Sequence, residues 1–273
     1  MKFVKSCILI LAFVLLAIPV VAQTNAAKTS TACSLATLKG TYGDFEQGTI
    51  LAQFPGFPAP PYPVVASGVV TYDGAGNVSA TYTASFGGVI LPGTATGTYA
   101  VNPDCTYSDV ITEPGGPGGH HVGTITGEGM FQEVHLMYTD PWLVASATLR
   151  KAPAGGCSQE SLKGTYTIFG QGLSTLPGLP PLLPGVHVGI FTADGRGNFA
   201  GEETVTIAGQ TGPPDTYTAK YIVNSDCSMS VAVTTNLGVF NEVGTITGVG
   251  RFQEYHGIFV EPGWVFAETG EKQ

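Results

Sequence analysis

The chain has 273 residues, a formal net charge of −9 at pH 7, and only 11% charged residues. A sparsely charged, acidic chain offers no cationic surface for phosphates, so the composition argues against nucleic acid as a partner. Thirty-eight glycines and nineteen prolines favour short strands joined by many turns.

The first 22 residues have the pattern of a secretory signal peptide. Lys2 and Lys5 precede the apolar run "CILILAFVLLAIPVV", and Ala22 is a small residue at a cleavage position. The run is shorter than the roughly 20 residues that a spanning helix needs, so we expect cleavage and no membrane span afterwards. Residues 23–32 are expected to be disordered, and the mature chain to be secreted or periplasmic.

The rest of the chain consists of two similar sequence repeats. "CSLATLKGTY", "TYDGAGN", "YAVNPDC" and "VGTITGEGMFQEVH" are matched in the same order by "CSQESLKGTY", "TADGRGN", "YIVNSDC" and "VGTITGVGRFQEYH". Four matched blocks indicate an internal duplication. We predict one domain over 33–150 and a second over 157–270, joined by a linker at 151–156, and each domain is large enough to bury its own core.

Each repeat contains two cysteines, whereas the fifth, Cys7, lies in the signal segment. An even number of cysteines in an exported chain predicts disulfides. Of the three pairings that four cysteines allow, the duplication selects Cys33–Cys105 and Cys157–Cys227. Each bridge would tie the start of a domain to a hairpin tip.

The first repeat shows eight short segments with strand patterning, and the second repeat shows the same eight. In the first repeat they are 40–51, 64–72, 77–86, 94–102, 106–112, 121–126, 130–138 and 143–149. Tight turns such as "DGAG" and "NPDC" join most of them, which favours an up-and-down meander. The predicted fold is therefore all-β, with two tandem eight-stranded antiparallel barrels. Two β-sandwiches are the alternative, and a single sixteen-stranded membrane barrel is less favoured.

The blocks "LKGTY", "DGxGN" and "YxVNxDC" resemble those of secreted bacterial tandem-repeat β proteins of uncharacterised families. The Gly-x-Tyr of the first strand in each repeat is also loosely similar to the Gly-x-Trp of lipocalins and avidins. Allene-oxide-cyclase-type barrels are a comparable analogy. These resemblances imply a calycin-like barrel and no particular activity.

The seventh strand places an aromatic ring, a carboxylate and an imidazole on one face, since side chains alternate across a strand. These residues are Phe131, Glu133 and His135 in the first repeat, and Phe252, Glu254 and His256 in the second. Inside a barrel, Glu and His can act as an acid/base pair or give two ligands to a metal. No further ligand recurs in both repeats, so we expect neither a metal nor another cofactor. A structural Glu–His contact that fixes strand register is the favoured interpretation.

The first strand carries Phe45 and Gln47 on one face, and Gln171 is the counterpart of Gln47 in the second repeat. An inward glutamine can bind the polar group of a ligand or satisfy neighbouring backbone. Asp44 and Glu46 lie on the opposite face and are not repeated, so we expect them on the solvated surface.

A long proline-rich loop joins the first two strands of each repeat, at 54–65 and 176–187. It carries apolar side chains that we predict to contact a ligand, namely Phe54, Phe57, Tyr62, Leu176, Leu179 and Leu183. A loop with this many apolar side chains is expected to pack on another surface. That surface could be the mouth of a barrel, the sister domain or another molecule.

No Ser–His–Asp order, P-loop or Rossmann fingerprint occurs. We therefore expect a non-enzymatic exported protein that binds a small apolar ligand or an extracellular protein partner. The alternatives are a barrel isomerase or cyclase that uses the Glu-x-His pairs, and a structural surface or matrix module without a site.

Overall fold

The computed structural model describes residues 32–175, 182–236 and 238–273. The predicted signal peptide lies outside these residues. Within the described part of the chain, no helix has both the length and the apolar character that crossing a membrane requires.

The first repeat forms a closed barrel of eight antiparallel strands. The strands are β1 (Gly40–Ile50), β2 (Tyr62–Tyr72), β3 (Asn77–Phe86), β4 (Val89–Val101), β5 (Thr106–Thr112), β6 (Gly119–Thr126), β7 (Glu133–Tyr138) and β8 (Leu143–Lys151). Each strand pairs with the next, and β8 pairs with β1 to close the barrel.

The second repeat closes in the same way. Its strands are β9 (Gly164–Ser174), β10 (Leu183–Ala193), β11 (Asn198–Ile207), β12 (Gln210–Thr211), β13 (Asp215–Val223), β14 (Ser228–Thr235), β15 (Gly238–Thr247), β16 (Glu254–Phe259) and β17 (Val265–Lys272). The two-residue β12 pairs only with β11 and stands outside the ring of eight. The β17–β9 pairing closes this ring. The prediction of two eight-stranded barrels is confirmed, and the sandwich alternative is wrong.

The seventh strand of each repeat starts later than the sequence predicts. Gly129–Phe131 and Gly250–Phe252 form short 3₁₀ turns ahead of β7 and β16. Gly129 and Gly250 have φ values of 62° and 61°, a left-handed conformation that favours glycine and bends the chain before the strand begins. Phe131 and Phe252 therefore do not share a strand face with the Glu-x-His pairs.

One end of each barrel is closed by a 3₁₀ turn that a disulfide anchors. The bridges are Cys33–Cys105 and Cys157–Cys227, as predicted, with Cα–Cα distances of 5.0 and 4.8 Å. The turns Leu35–Leu38 and Gln159–Leu162 follow the first cysteine of each bridge. Their last residues, leucines in both repeats, are fully buried in the barrel cores.

The Gly-x-Tyr block places a buried tyrosine in each closed end. Tyr42 packs edge-on against Tyr72, at 5.5 Å between ring centroids. Its hydroxyl donates to Oε1 of Gln132 at 2.5 Å, and Tyr166 donates to Oε1 of Gln253 at 2.9 Å. These matched contacts hold each chain segment that enters β7 or β16 over the end of its barrel.

The two barrels pack side by side through their outer surfaces. Phe45 and Val65, on the outside of β1 and β2, join one apolar cluster with Ile258, Val265 and Ala267, on the outside of β16 and β17. The surface of the first barrel next to its first strands is thus buried against the last strands of the second.

We expect the double substitution Cys157→Ala/Cys227→Ala to lower the free energy of unfolding of the second barrel by about 2–4 kcal/mol. The bridge closes a separation of 70 residues and so restricts the unfolded chain. Trp264 packs against Phe259 in this barrel, and its fluorescence in a Trp142→Phe background would follow urea unfolding. Ser230→Ala, at an exposed position of β14, is the control. A double variant as stable as this control would contradict the expectation.

Candidate functional site

The lumen of the first barrel carries acidic side chains that the sequence analysis places on the surface. Tyr42 points into the core, and alternation along β1 then turns Asp44 and Glu46 inward, where both line a cavity. Gln47 is exposed on the outside of β1, as Gln171 is on β9. The expected orientation of the first strand is wrong because Phe45, the aromatic residue taken as inward, packs against the second barrel instead.

The cavity inside the first barrel has a volume of about 730 Å³. Phe54, Phe57, Tyr62 and Trp142 line it where the proline-rich loop crosses the open end. Phe54 packs edge-on against Trp142 at 5.7 Å between centroids, and Phe57 packs against Phe86 at 5.5 Å. The loop thus covers the mouth of its own barrel.

A buried hydrogen-bond chain forms one side of the cavity. Nδ1 of His121, on β6, lies 2.5 Å from Oδ1 of Asp109, on β5. The other carboxylate oxygen of Asp109 accepts from the hydroxyl of Tyr107, which lies 2.9 Å from the hydroxyl of Tyr72. These hydrogen bonds connect the cavity to the tyrosines of the closed end.

Tyr138 lies next to this hydrogen-bond chain and connects it to Glu46. Tyr138 donates to Oε2 of Glu46 at 2.7 Å, and its ring packs edge-on against His121 at 4.0 Å. Oδ1 of Asp44 and Nε2 of His121 are buried from solvent and have no hydrogen-bond partner within the described residues. The side chains of Asp44 and His121 both line the cavity.

The surroundings shift the protonation of these groups. Burial, together with the neighbouring Glu46, raises the pKa of Asp44 to about 8. Burial also raises the pKa of Glu46, against the opposing effect of the Tyr138 hydrogen bond. Burial opposes protonation of His121, but the hydrogen bond to Asp109 and the charges of Asp109, Glu46 and Asp44 together outweigh it and raise the pKa of His121. The lumen therefore holds a neutral Asp44 at pH 7, and an adjacent positive charge would allow it to ionise.

The second barrel has its own buried acid–imidazole group, made from other positions. Nδ1 of His187 lies 2.9 Å from Glu203, and Nε2 lies 2.8 Å from Glu268. Burial opposes protonation of His187, but the hydrogen bonds of both glutamates raise its pKa to about 10. Burial and the nearby Glu268 raise the pKa of the buried Glu242 well above its ordinary value. The charge of His187 is thus compensated within the protein.

The Glu-x-His pairs do not face either lumen, so the expected placement is wrong. Val134 and Leu136 take the lumen side of β7, and Glu133 and His135 therefore point outward, with the His135 side chain 49% exposed. His256 is only 10% exposed, but its ring packs on Phe45 of the first barrel at 5.5 Å. The pairs accordingly lack the enclosed pocket that the isomerase or cyclase hypothesis requires.

Each outward histidine contacts the glutamate two residues before it. The distance is 3.1 Å for His135 and Glu133, and 3.3 Å for His256 and Glu254. Arg150, at the end of β8, forms ion pairs with Glu133 and with Glu254, and so links the barrels. These contacts give the pairs a structural role at the barrel–barrel junction.

The remaining predicted ligand contacts divide into three groups. Phe131 and Phe252 pack on each other at 5.1 Å between centroids, and neither is among the residues that line the cavity. Leu183 begins β10 and is half-buried. Leu176 and Leu179 lie outside the described residues.

Several lumen residues were missed for identifiable reasons. Asp44 and Glu46 follow the core tyrosine of Gly-x-Tyr at steps of two, so that motif was a usable signal for their orientation. His121, Asp109 and His187 occur in no repeated block, and only strand pairing brings them to their partners.

The chain was compared with known proteins. No protein-family model matches it, and no curated protein does. The crystal structure of Rv2717c from M. tuberculosis is similar over 67% of this chain and 90% of its own, at 16% identity and a TM-score of 0.24. The isotype 1 transferrin binding protein B from serogroup B Neisseria meningitidis is similar over 89% of this chain and 78% of its own, at 9% identity and a TM-score of 0.26. Scores this low do not bear on what the present chain binds.

We expect Asp44→Asn to stabilise the protein by an amount that grows as pH rises above about 4. The folded pKa of Asp44 is about 8, above the unfolded value of roughly 3.9, so the wild type loses stability as pH rises between them. An asparagine cannot ionise, and should raise the free energy of unfolding by about 2 kcal/mol at about pH 8.5, with little change at about pH 4. Urea unfolding at both pH values measures this. The exposed Glu128→Gln is the control, and an equal gain at both pH values would refute the assignment.

We expect His256 to make the barrel–barrel contact sensitive to acid. Burial, followed by the charge of Arg150, lowers the pKa of His256 to about 4, below the unfolded value of roughly 6.5. The unfolded chain binds the proton first, so this group destabilises the fold by on the order of 2 kcal/mol as pH falls from about 6.5 to 4. His256→Gln should remove that part of the pH dependence in urea unfolding. His135→Gln, at the exposed counterpart, should leave it, and equal effects of both substitutions would disprove the environment described for His256.

Proposed function

We propose that this chain is an exported binding protein whose first barrel holds a small ligand with an apolar body and a basic end. The observation that carries the proposal is the cavity of about 730 Å³, lined by apolar side chains at its mouth and by Asp44 deeper in the lumen. One carboxyl oxygen of Asp44 has no hydrogen-bond partner within the described residues. Ligand pockets commonly have roughly 300–1,000 Å³, with a few convergent polar groups that fix orientation.

The apolar body of the ligand is accommodated near the mouth. Ile50, Val64, Ala84 and Leu143 line this part of the cavity below the aromatic residues of the loop. Burying an alkyl or aryl group there is favourable by roughly 25 cal/mol for each Å² removed from water. The prolines of the loop reduce the entropy that it loses when it orders over a bound molecule.

The basic end follows from the charges in the lumen. Among the described residues that line the cavity, the carboxyl groups of Asp44, Glu46, Asp109 and Glu113 accompany one imidazole, that of His121, so carboxyl groups outnumber cationic groups. An ammonium group beside Asp44 would favour the ionised form of that carboxyl, whose pKa burial and Glu46 raise. A carboxylate-bearing ligand would add a further acid to this group.

Export is supported by the two disulfides, since such bridges persist in oxidising compartments outside the cytoplasm. In this proposal the second barrel does not bind the ligand, because its histidine already contacts two glutamates. It buries one side of the first barrel and so keeps the ligand-binding barrel rigid.

The test compares three chains of equal length, decylamine, decanol and decanoate, by fluorescence of Trp142 in a Trp264→Phe background. Trp142 lines the cavity, so a bound chain should change its emission. We expect decylamine to bind at least about tenfold more tightly than decanol, a difference of about 1.4 kcal/mol, and decanoate to bind most weakly. Asp44→Asn should remove the preference of the protein for the amine over the alcohol.

A matched pair of substitutions locates the binding. Ala84→Phe fills the cavity and should abolish binding of all three chains, whereas Ala100→Phe, at an exposed position of β4, should not change it. The proposal is refuted if the folded protein binds none of the three, or if decanoate binds as tightly as decylamine.

A further inference from the structure

The two repeats present equivalent outer surfaces, and only half of these surfaces are covered. We define face A of a repeat by the outward residues of its first two strands: Phe45, Val65, Ser67 and Val69 in the first repeat, and Phe169, Val186, Val188 and Ile190 in the second. The strand registers are equivalent, since Phe45 lies opposite Ser67 and Phe169 lies opposite Val188.

Face B consists of outward residues of the last three strands. It comprises Val243, His256, Ile258 and Val265 in the second repeat, and Val122, His135, Met137 and Val144 in the first. Val243 and Val122 begin the nearly identical sequence blocks, and the Glu-x-His pairs lie in the same blocks. The most strongly repeated stretch of the chain therefore forms part of face B.

Within the chain, face A of the first repeat packs on face B of the second. Val65 is 7% exposed and Ile258 is fully buried in this contact. The hydroxyl of Ser67 also donates to the backbone carbonyl of His256 at 3.1 Å. The two faces come from different strands, so the interface is heterologous, and it leaves one face A and one face B unused.

The unused faces are exposed and apolar. Val188 is 54% exposed on face A of the second repeat, and Val144 is 64% exposed on face B of the first. Phe169, Val186, Met137 and Val122 belong to the same two surfaces and are also exposed. Contiguous apolar surfaces of this kind usually mark an interaction site.

We propose that the partner is a second copy of this chain, with face A of its second repeat docked on face B of the first repeat of its neighbour. The unused face A is equivalent to the face A that is buried within the chain, and the unused face B is equivalent to the buried face B. In such a contact each copy uses a different face, so every dimer still has one free face A and one free face B. Further copies would therefore join head to tail into open chains or rings.

One difference between the faces predicts that the contact between copies is weaker than the contact within the chain. Gly43 lies beside face A of the first repeat, opposite Val69, and a Cβ there would come within 2.5 Å of the side chains of Thr245 and Thr247. The counterpart of Gly43 is Thr167, whose side chain must hold the docked face further away. Restoring the glycine should bring the faces closer.

The test is sedimentation velocity of the mature full-length protein over a range of concentrations. We expect concentration-dependent assembly of the wild type. Val188→Asp blocks face A and Met137→Asp blocks face B, so each variant alone should remain monomeric. Their equimolar mixture should form a one-to-one dimer, because each variant retains the face that the other lacks. Thr167→Gly should assemble at lower concentration than the wild type.

Ile222→Asp is the matched control, since Ile222 is similarly exposed on β13 and belongs to neither face. It should assemble as the wild type does. A wild type that stays monomeric at its highest soluble concentration would overturn the proposal. Assembly by Met137→Asp alone or Val188→Asp alone would also overturn it, because a dimer between two like faces needs only one of them. Circular dichroism confirms that each variant is folded.

Discussion

Closure of each sheet into a barrel is the constraint on which the other features depend. A closed sheet of paired strands gives every side chain one of two directions, into the lumen or out, and consecutive residues alternate between them. Once Tyr42 fills the closed end, Asp44 and Glu46 have to point inward. The same alternation turns Phe45 outward, where it becomes the centre of the contact with the second barrel.

The acidic lumen of the first barrel is costly to the fold and therefore informative about function. Burying carboxyl groups is unfavourable unless they are paired, hydrogen-bonded or protonated. Asp109 has Tyr107 and His121 as partners, and Glu46 has Tyr138, whereas one oxygen of Asp44 has none within the described chain. In the second barrel, His187 lies between two glutamates. A perturbed acid beside an apolar cavity is characteristic of a site that receives a ligand.

Duplication gave the chain two copies of one surface in two environments. The pair of Glu133 and His135 is solvated, whereas the pair of Glu254 and His256 is covered by the first barrel. The same two side chains are thus exposed in the first repeat and buried in the contact between the barrels in the second. Burial lowers the pKa of His256 to about 4, so acid acts on the junction between the barrels. Val144 and Met137 remain exposed on the first barrel, whereas their counterparts Val265 and Ile258 are buried on the second.

The amino-acid sequence by itself determined the duplication, the disulfide pairing, the strand number and the presence of an apolar loop between the first two strands of each repeat. These depend on local turn chemistry, on alternation and on comparison within the chain. Only the tertiary structure decided which side of each sheet carries the acidic and histidine side chains. Asp44 was placed on the wrong side because its neighbour Phe45, an outward residue of the first barrel, is buried in the contact between the two barrels. Composition and periodicity record that a face is buried, but not which neighbour buries it.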